Sequence, residues 1–233
     1  DSILNQTYNN FEIIISDNAS TDDTSKICQN IINDEENIHY HLQKKNIGIV
    51  NNFNYLIKNA SGKYFVIAGV DDLWESTFLE KNVKILEVNE NIVGSIGEVK
   101  MFGHSGNLPK TSKLILKLKK IIRKQNVNIL EKHVMSSKGD FNKKVDRYLR
   151  FNQGSFCYGL FRTNLVQKNI IPGPLASWDL VFILNILKFG DLHVIDEVLF
   201  HKFAEGLSGS SGIIEQYKRN EIPFYDFMIP NFS

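Results

Sequence analysis

Cysteine is nearly absent: Cys28 and Cys157 are the only two in 233 residues. That is too few for a disulfide framework or a zinc site, and both are expected as buried thiols of a reducing compartment. No apolar run approaches the roughly 18–20 residues that a bilayer-spanning helix needs. Internal repeats and low-complexity tracts are missing too. Hydrophobic residues at 42% and charged residues at 23% exclude disordered, collagen-like and solenoid classes. What remains is a globular chain long enough for one large domain or a compact pair. It opens on Asp1, and residues 2–8 read as the end of a helix, so the expectation is a fragment that begins after its first strand.

Charge is almost balanced at +1, but unevenly placed. Residues 110–150 hold thirteen Lys/Arg against three Asp/Glu, a local +10; the rest holds fourteen against twenty-three, or −9. A basic block in an acidic body predicts an anionic partner on one face.

Along the first hundred residues two kinds of segment alternate. Phe11-Glu12-Ile13-Ile14-Ile15-Ser16 is a β-branched run suited to a strand buried on both faces. Residues 17–24 carry turn and cap chemistry, with Ser20 or Thr21 as N-cap and acidic residues in the first turn of a helix that bears Ile27, Ile31 and Ile32. Residues 38–42 predict a strand, Gly48 a turn, and residues 50–60 a helix with Phe53, Leu56 and Ile57 on one face. Ser61-Gly62 is read as its stop, the glycine left-handed. Tyr64-Phe65-Val66-Ile67-Ala68 predicts another buried strand. Such alternation implies a parallel sheet covered by helices, with ligands at the carboxyl ends of strands.

After residue 108 the pattern breaks. Residues 110–124 predict an amphipathic helix with seven Lys/Arg and no acid, and residues 126–150 stay basic and less regular. Residues 155–161 resume strand character, residues 178–187 read as a buried helix, and residues 192–203 as a strand pair or one long strand. The expected division is a first half at residues 1–108, a basic helical insert at 109–150, and a second half with its tail at 151–233.

Asp17 closes the first strand and Asp71-Asp72 the third. A carboxylate there can take a ribose hydroxyl or a base N–H, and two adjacent ones can hold Mg²⁺ or Mn²⁺ bridging a diphosphate. On spacing alone, the alternative that they cap turns stays open. The residues carry more when taken together. Ser2-Ile3-Leu4-Asn5-Gln6-Thr7-Tyr8, the run from Phe11 to Thr24, Asn46-Ile47-Gly48, Asn59-Ala60-Ser61-Gly62-Lys63-Tyr64-Phe65 and Val70-Asp71-Asp72-Leu73-Trp74 resemble a family 2 glycosyltransferase of the GT-A fold, an α/β domain whose mixed, Rossmann-like sheet is flanked by helices. The likeness is close over residues 2–95 and loose over 150–208.

The resemblance implies transfer of a sugar from a nucleotide-diphosphate donor to a hydroxyl of a glycan or lipid-linked acceptor, with inversion. Asp17, Asn18 and Gly48 would lie at the nucleoside, Asp71 and Asp72 at the metal and diphosphate, with Asp72 the direct ligand. Asp179, opening a helix in the second half, would be the general base. His201 would touch the diphosphate. Two departures stand out: Asn18 replaces a frequent Asp, and Gly69 stands at the first acidic position of the metal motif. That second departure keeps open a non-catalytic relative that binds nucleotide or glycan without turnover. For residues 110–124 a membrane-surface helix is preferred over a solvated one, which places the protein in the cytoplasm at the inner face of a membrane. Nucleic acid is not expected as a partner, since aromatics are not interleaved with the basic residues.

Overall fold

The computed structural model describes residues 2–32, 37–102, 134–151, 154–173, 175 and 177–203. The expected helix at 110–124, the Gly-rich stretch at 206–212 and the aromatic tail lie outside them.

The first unit forms as the alternation suggests. Strand β1 (Ile13–Asp17) pairs in parallel with β2 (Ile38–Leu42), with Ile13 opposite Ile38 and Asp17 opposite Leu42. Its isoleucines are only half-buried, so the expected burial on both faces is not reached. Helix α1 (Thr24–Ile32) begins later than Ser20 or Thr21 and has no acidic residue in its first turn. Asp22 Oδ1 instead accepts from the Thr24 N–H at 3.0 Å, and Ile27 N–H bonds to the Asp23 carbonyl at 3.1 Å. The acidic pair therefore forms the cap itself.

Helix α2 (Ile49–Asn59) follows Gly48, whose φ of 79° is the left-handed conformation that glycine adopts without penalty. Its far end does not use a left-handed glycine. Ala60 is extended, and Glu12 Oε1 accepts from Ser61 N–H (2.8 Å), Ser61 Oγ (2.8 Å) and Gly62 N–H (3.2 Å). Those bonds hold the Glu12 carboxyl below its usual range although burial pushes it up.

Beyond Gly62 the expected parallel sheet gives way to a mixed one. Strand β3 is only Tyr64–Phe65, and the next strands are β4 (Leu73–Trp74), β5 (Ile92–Phe102), β6 (Leu160–Arg162) and β7 (Asp191–Phe203). They form one sheet in the order β3-β6-β5-β7-β4. β5 and β7 run parallel, while β3–β6, β5–β6 and β4–β7 are antiparallel. Residues 192–203 thus fall in one long strand, and residues 155–161 divide into a 3₁₀ turn (Gly154–Tyr158) and β6. Gly159 marks the division. A Cβ there would lie 2.9 Å from the Ser95 carbonyl, so the chain passes too close to β5 for any side chain.

Four helices complete the described part: α3 (Phe78–Val88), α4 (Phe141–Phe151), α5 (Thr163–Lys168) and α6 (Trp178–Ile186). The core lies between β5, β6 and these helices, with Phe78, Phe156, Phe182, Ile183 and Ile186 at 0–1% exposure and Phe161 edge-on to Phe182 at 5.1 Å. Each fully buried side chain of this size contributes roughly 1.5–3 kcal/mol over leaving it in water. The basic run reaches into that core. Lys144 of α4 is buried, donating to the Gly190 carbonyl at 2.6 Å with Asp191 at 3.7 Å, while Ser137 and Leu192 exchange two backbone hydrogen bonds. Of residues 126–150, expected as less regular, the described part (134–150) therefore contains most of helix α4 and packs on β7.

Candidate functional site

Two clusters of the expected residues stand at loops that follow or precede strands. The first is built on the end of β1. Asp17 is 5% exposed, its Oδ1 accepting from Ser20 N–H and its Oδ2 from the Tyr40 hydroxyl, both at 2.8 Å. Burial pushes its carboxyl up, but these bonds outweigh it and hold the group below the usual carboxylate range. Asn18 joins two loops. Its Oδ1 accepts from Ile47 N–H at 2.9 Å and its Nδ2 donates to Asn46 Oδ1 at 2.9 Å, an atom that also accepts from Gly48 N–H. The side chain expected to read a base thus already uses both its donor and its acceptor to fix the turn into α2.

That bridge explains why an amide stands where an acid is frequent. Asn18→Asp would set two carbonyl-like oxygens against each other. The substitution is expected to lower stability by about 1 kcal/mol, the net worth of one such bond, read from the denaturant midpoint. An unchanged midpoint would show that the bridge is not stabilising.

The second cluster lies where β4 enters the sheet beside the end of β7. Asp71-Asp72 does not close β3 as expected: that strand stops at Phe65, and residues 69–72 turn, with Asp72 N–H bonding to the Gly69 carbonyl at 3.4 Å. Asp72 Oδ1 accepts from Phe203 N–H at 3.0 Å, which ties the carboxylate to the last residue of β7. Burial raises its carboxyl above the usual value; the Phe203 bond opposes this, the Asp71 charge adds to it, and the Lys202 charge acts against it. Gly69 has a steric role. A Cβ there would lie 2.4 Å from Asp72 Oδ2, so an acid at this position would displace the Asp72 carboxylate from its present place.

Asp179 opens α6 in its first turn, and Trp178 beside it packs on Phe53 of α2 at 4.5 Å. Its carboxylate stands over the 3₁₀ turn, close enough that a Cβ on Gly154 would lie 3.2 Å from Oδ2. Among the described residues it takes part in no hydrogen bond or ion pair. The thiol of Cys157 and the phenol of Tyr158 are both pushed up, by burial first and then by charges that include Asp72 and Asp179. The Cys157 thiol and the Tyr158 phenol thus feel the charge of both carboxylates. Burial raises Tyr148 as well, with the Asp179 charge adding to it.

His201 turns to Glu75. Its Nε2 lies 2.7 Å from Glu75 Oε1, and its backbone pairs with Leu73. Tyr158, Lys202 and Tyr40 belong to these clusters without having been singled out in the sequence, and Asn46 had been read only as part of the Asn46-Ile47-Gly48 motif. Only the alternation of Phe200 and Lys202 along β7 hinted that the lysine, and not His201, shares a face with Phe200.

The profile of the family described as "Glycosyl transferase family 2" matches residues 1–149, well over half of the chain. The chain belongs to this family. An uncharacterized glycosyltransferase of Haemophilus influenzae is 38% identical over 100 residues, covering 42% of this chain and 31% of that protein. Glycosyltransferase GlyA of Streptococcus pneumoniae is 32% identical over 106 residues, 45% of this chain and 15% of its own. The chain thus spans a third or less of these relatives. Among solved structures, TarS residues 1–349 from S. aureus in complex with UDP-GlcNAc superposes with a TM-score of 0.60 at 18% identity, covering 95% of this chain and 62% of that one. The mannosyltransferase PcManGT from Pyrobaculum calidifontis, in complex with GDP-Man and Mn²⁺, also gives 0.60 at 15% identity, covering 100% and 59%. These likenesses establish the GT-A fold: the mixed sheet flanked by helices expected from the sequence.

Proposed function

We propose that the protein transfers a sugar from a nucleotide-diphosphate donor to an acceptor hydroxyl, with inversion, and that the two halves of the site divide the work. The observation that carries this reading is a half-buried carboxylate, Asp72, tied to the end of β7, together with a second carboxylate, Asp179, that opens α6 with no hydrogen bond or ion pair among the described residues. Support for the donor class comes from family membership and from the nucleotide sugars named for the two solved relatives.

In this reading Asp179 takes the proton from the acceptor hydroxyl as its oxygen bonds to the anomeric carbon. The bond from that carbon to the diphosphate oxygen breaks on the opposite face, and the nucleoside diphosphate leaves with the electron pair. Asp17 and the Asn18–Asn46–Gly48 bridge hold the loops on which the nucleoside would rest. Asp71 and Asp72 fit a hard divalent cation, Mg²⁺ or Mn²⁺. They offer two adjacent carboxylates, Asp72 Oδ2 is left without a hydrogen bond among the described residues, and such ions are commonly held by one or two carboxylates with phosphate oxygens completing the shell. When bound, the ion would offset charge on the diphosphate. The acceptor is read as a glycan or a lipid-linked hydroxyl, with residues 110–124 lying on the anionic inner face of a membrane. Support for that contact is the basic composition of the segment.

The test is to incubate the purified chain with a panel of uridine- and guanosine-diphosphate sugars and Mn²⁺, with water as default acceptor, and to follow nucleoside diphosphate release. Slow release from at least one donor is expected. Tight binding of a donor with no release under any condition would favour the non-catalytic alternative.

A further inference from the structure

We propose that the outward face of α4, together with the Lys188–Phe189 turn, docks on an anionic lipid bilayer and brings the acceptor-binding end of the molecule to the membrane surface. The inference goes beyond the contact read for residues 110–124 and holds without that segment. Its link to the acceptor rests on the reading of Asp179 as the base.

Exposure comes first. Among the described residues, the phenylalanines that are more than a third exposed are Phe141 and Phe151 at 41% and Phe189 at 47%. All of them lie here. Phe141 and Phe151 are the first and last residues of α4, and Phe189 precedes Gly190, whose carbonyl accepts from Lys144 of α4 at 2.6 Å. Leu149, at 52%, adds a further apolar side chain to the same helix. Apolar side chains exposed singly need no explanation, but a group of large ones rimmed by charge marks an interaction surface.

Charge decides the partner. Lys144 and Tyr148 are the buried residues of α4, while Lys143, Arg147 and Arg150 are exposed. Lys138 before the helix and Lys188 in the turn are exposed too. Against these five basic residues stand two acids, Asp140 and Asp146, a net +3. Asp140 pairs with Lys143 at 3.1 Å and Asp146 with Arg150 at 2.7 Å. All four side chains are more than half exposed, so these pairs are weak and the excess positive charge faces water. Among the described residues Arg147 has no acidic partner within ion-pair distance. Basic side chains beside exposed phenylalanine and leucine fit the boundary of anionic headgroups and acyl chains. A soluble polyanion would match the charge and leave the apolar residues in water.

The same helix adjoins the proposed base. Tyr148, on its inner side, is 3% exposed, and the Asp179 charge adds to the burial that raises its phenol. α4 ends at Phe151, three residues before Gly154, and a Cβ on Gly154 would lie 3.2 Å from Asp179 Oδ2. Contact through the outward side of α4 would therefore set this end of the molecule at the headgroups, where the hydroxyl of a lipid-linked acceptor is presented.

The experiment is co-sedimentation of the full chain with phosphatidylcholine vesicles, with and without phosphatidylglycerol, at low and high salt. It is run on the wild type, Lys143→Glu/Arg147→Glu, Leu149→Ser/Phe151→Ser and, for the other basic segment, Lys119→Glu/Lys120→Glu. Thermal midpoints check folding, and Phe189→Ser, outside the helix, replaces any α4 variant that unfolds. The wild type is expected to bind the anionic vesicles, and less in high salt. Each basic residue at an anionic leaflet strengthens binding roughly fivefold, so the charge reversal should lower the partition coefficient by more than about tenfold. Leu149→Ser/Phe151→Ser should lower it about threefold or more, with binding to soluble polyphosphate unchanged. Wild-type binding to anionic vesicles in the α4 variants would overturn the proposal, whatever Lys119→Glu/Lys120→Glu does. So would a wild type that binds polyphosphate but no vesicle. Nucleoside diphosphate release from a donor sugar in water, without vesicles, should be equal in the wild type and the α4 variants. Its absence from the wild type would count against sugar transfer and the link to the acceptor, and leave the membrane contact standing.

Discussion

Replacing Asp179 by asparagine is expected to reduce sugar transfer by about 10²–10⁴-fold, the usual worth of a positioned general base, while leaving donor affinity nearly unchanged. The reason is geometric. The carboxylate opens α6 over Gly154 with no hydrogen bond or ion pair among the described residues. It holds no strand or turn through its oxygens, so asparagine of nearly the same shape removes basicity and little else. Steady-state rates at saturating donor, with donor binding measured separately, check this. Near-native turnover in the variant would move the base to another residue.

Asp72→Asn is expected to act on binding instead, lowering affinity for a nucleoside diphosphate in Mn²⁺ by about tenfold or more and removing most of the difference between Mn²⁺ and EDTA. One oxygen of Asp72 already accepts from Phe203 N–H, and an asparagine can keep that bond through its carbonyl. The end of β7 should therefore stay in place, and the loss should reflect the missing charge. A tenfold change in a dissociation constant corresponds to about 1.4 kcal/mol, modest for a charged ligand in a partly buried site. Equal affinities in both proteins, with and without metal, would remove Asp72 from the diphosphate site.

Much of this was legible in the sequence where one local rule governs one element. The β-branched run at β1, the apolar positions of α2 and the predominantly apolar α6 each formed where the pattern placed them. β5 was not legible, although it holds more buried residues than any other described strand. Gly94, Ser95 and Gly97 dilute its apolar pattern, and they are small for tertiary reasons: a Cβ on Gly94 would lie 2.5 Å from the Phe161 ring, and one on Gly97 would lie 2.5 Å from Leu199. The expected parallel sheet failed likewise, because β3 takes its partner from β6, about a hundred residues further on, a pairing that no local pattern carries.

The site divides in the same way. Asp17, Asn18, Asp71, Asp72 and Asp179 could be named from motifs, but what each touches could not. Asn18 proved to be a bridge between loops, and His201 proved to face Glu75. Lys202 and Tyr158 lie far apart in sequence and meet only because β7 runs past the 3₁₀ turn. The basic segment showed the opposite limit: a charge count put Lys144 in a block expected to face an anionic partner, whereas the fold buries it against Gly190 and Asp191.

The most direct test of the two-carboxylate site is a crystal structure of the chain with a nucleotide sugar that it binds and Mn²⁺, located by the anomalous signal of the ion. The account predicts Mn²⁺ on the Asp71–Asp72 carboxylates, the diphosphate on that ion, and the anomeric carbon facing Asp179. A diphosphate lying more than about 8 Å from Asp72, well beyond the roughly 3 Å of a direct hydrogen bond, or a sugar directed away from Asp179, would contradict it.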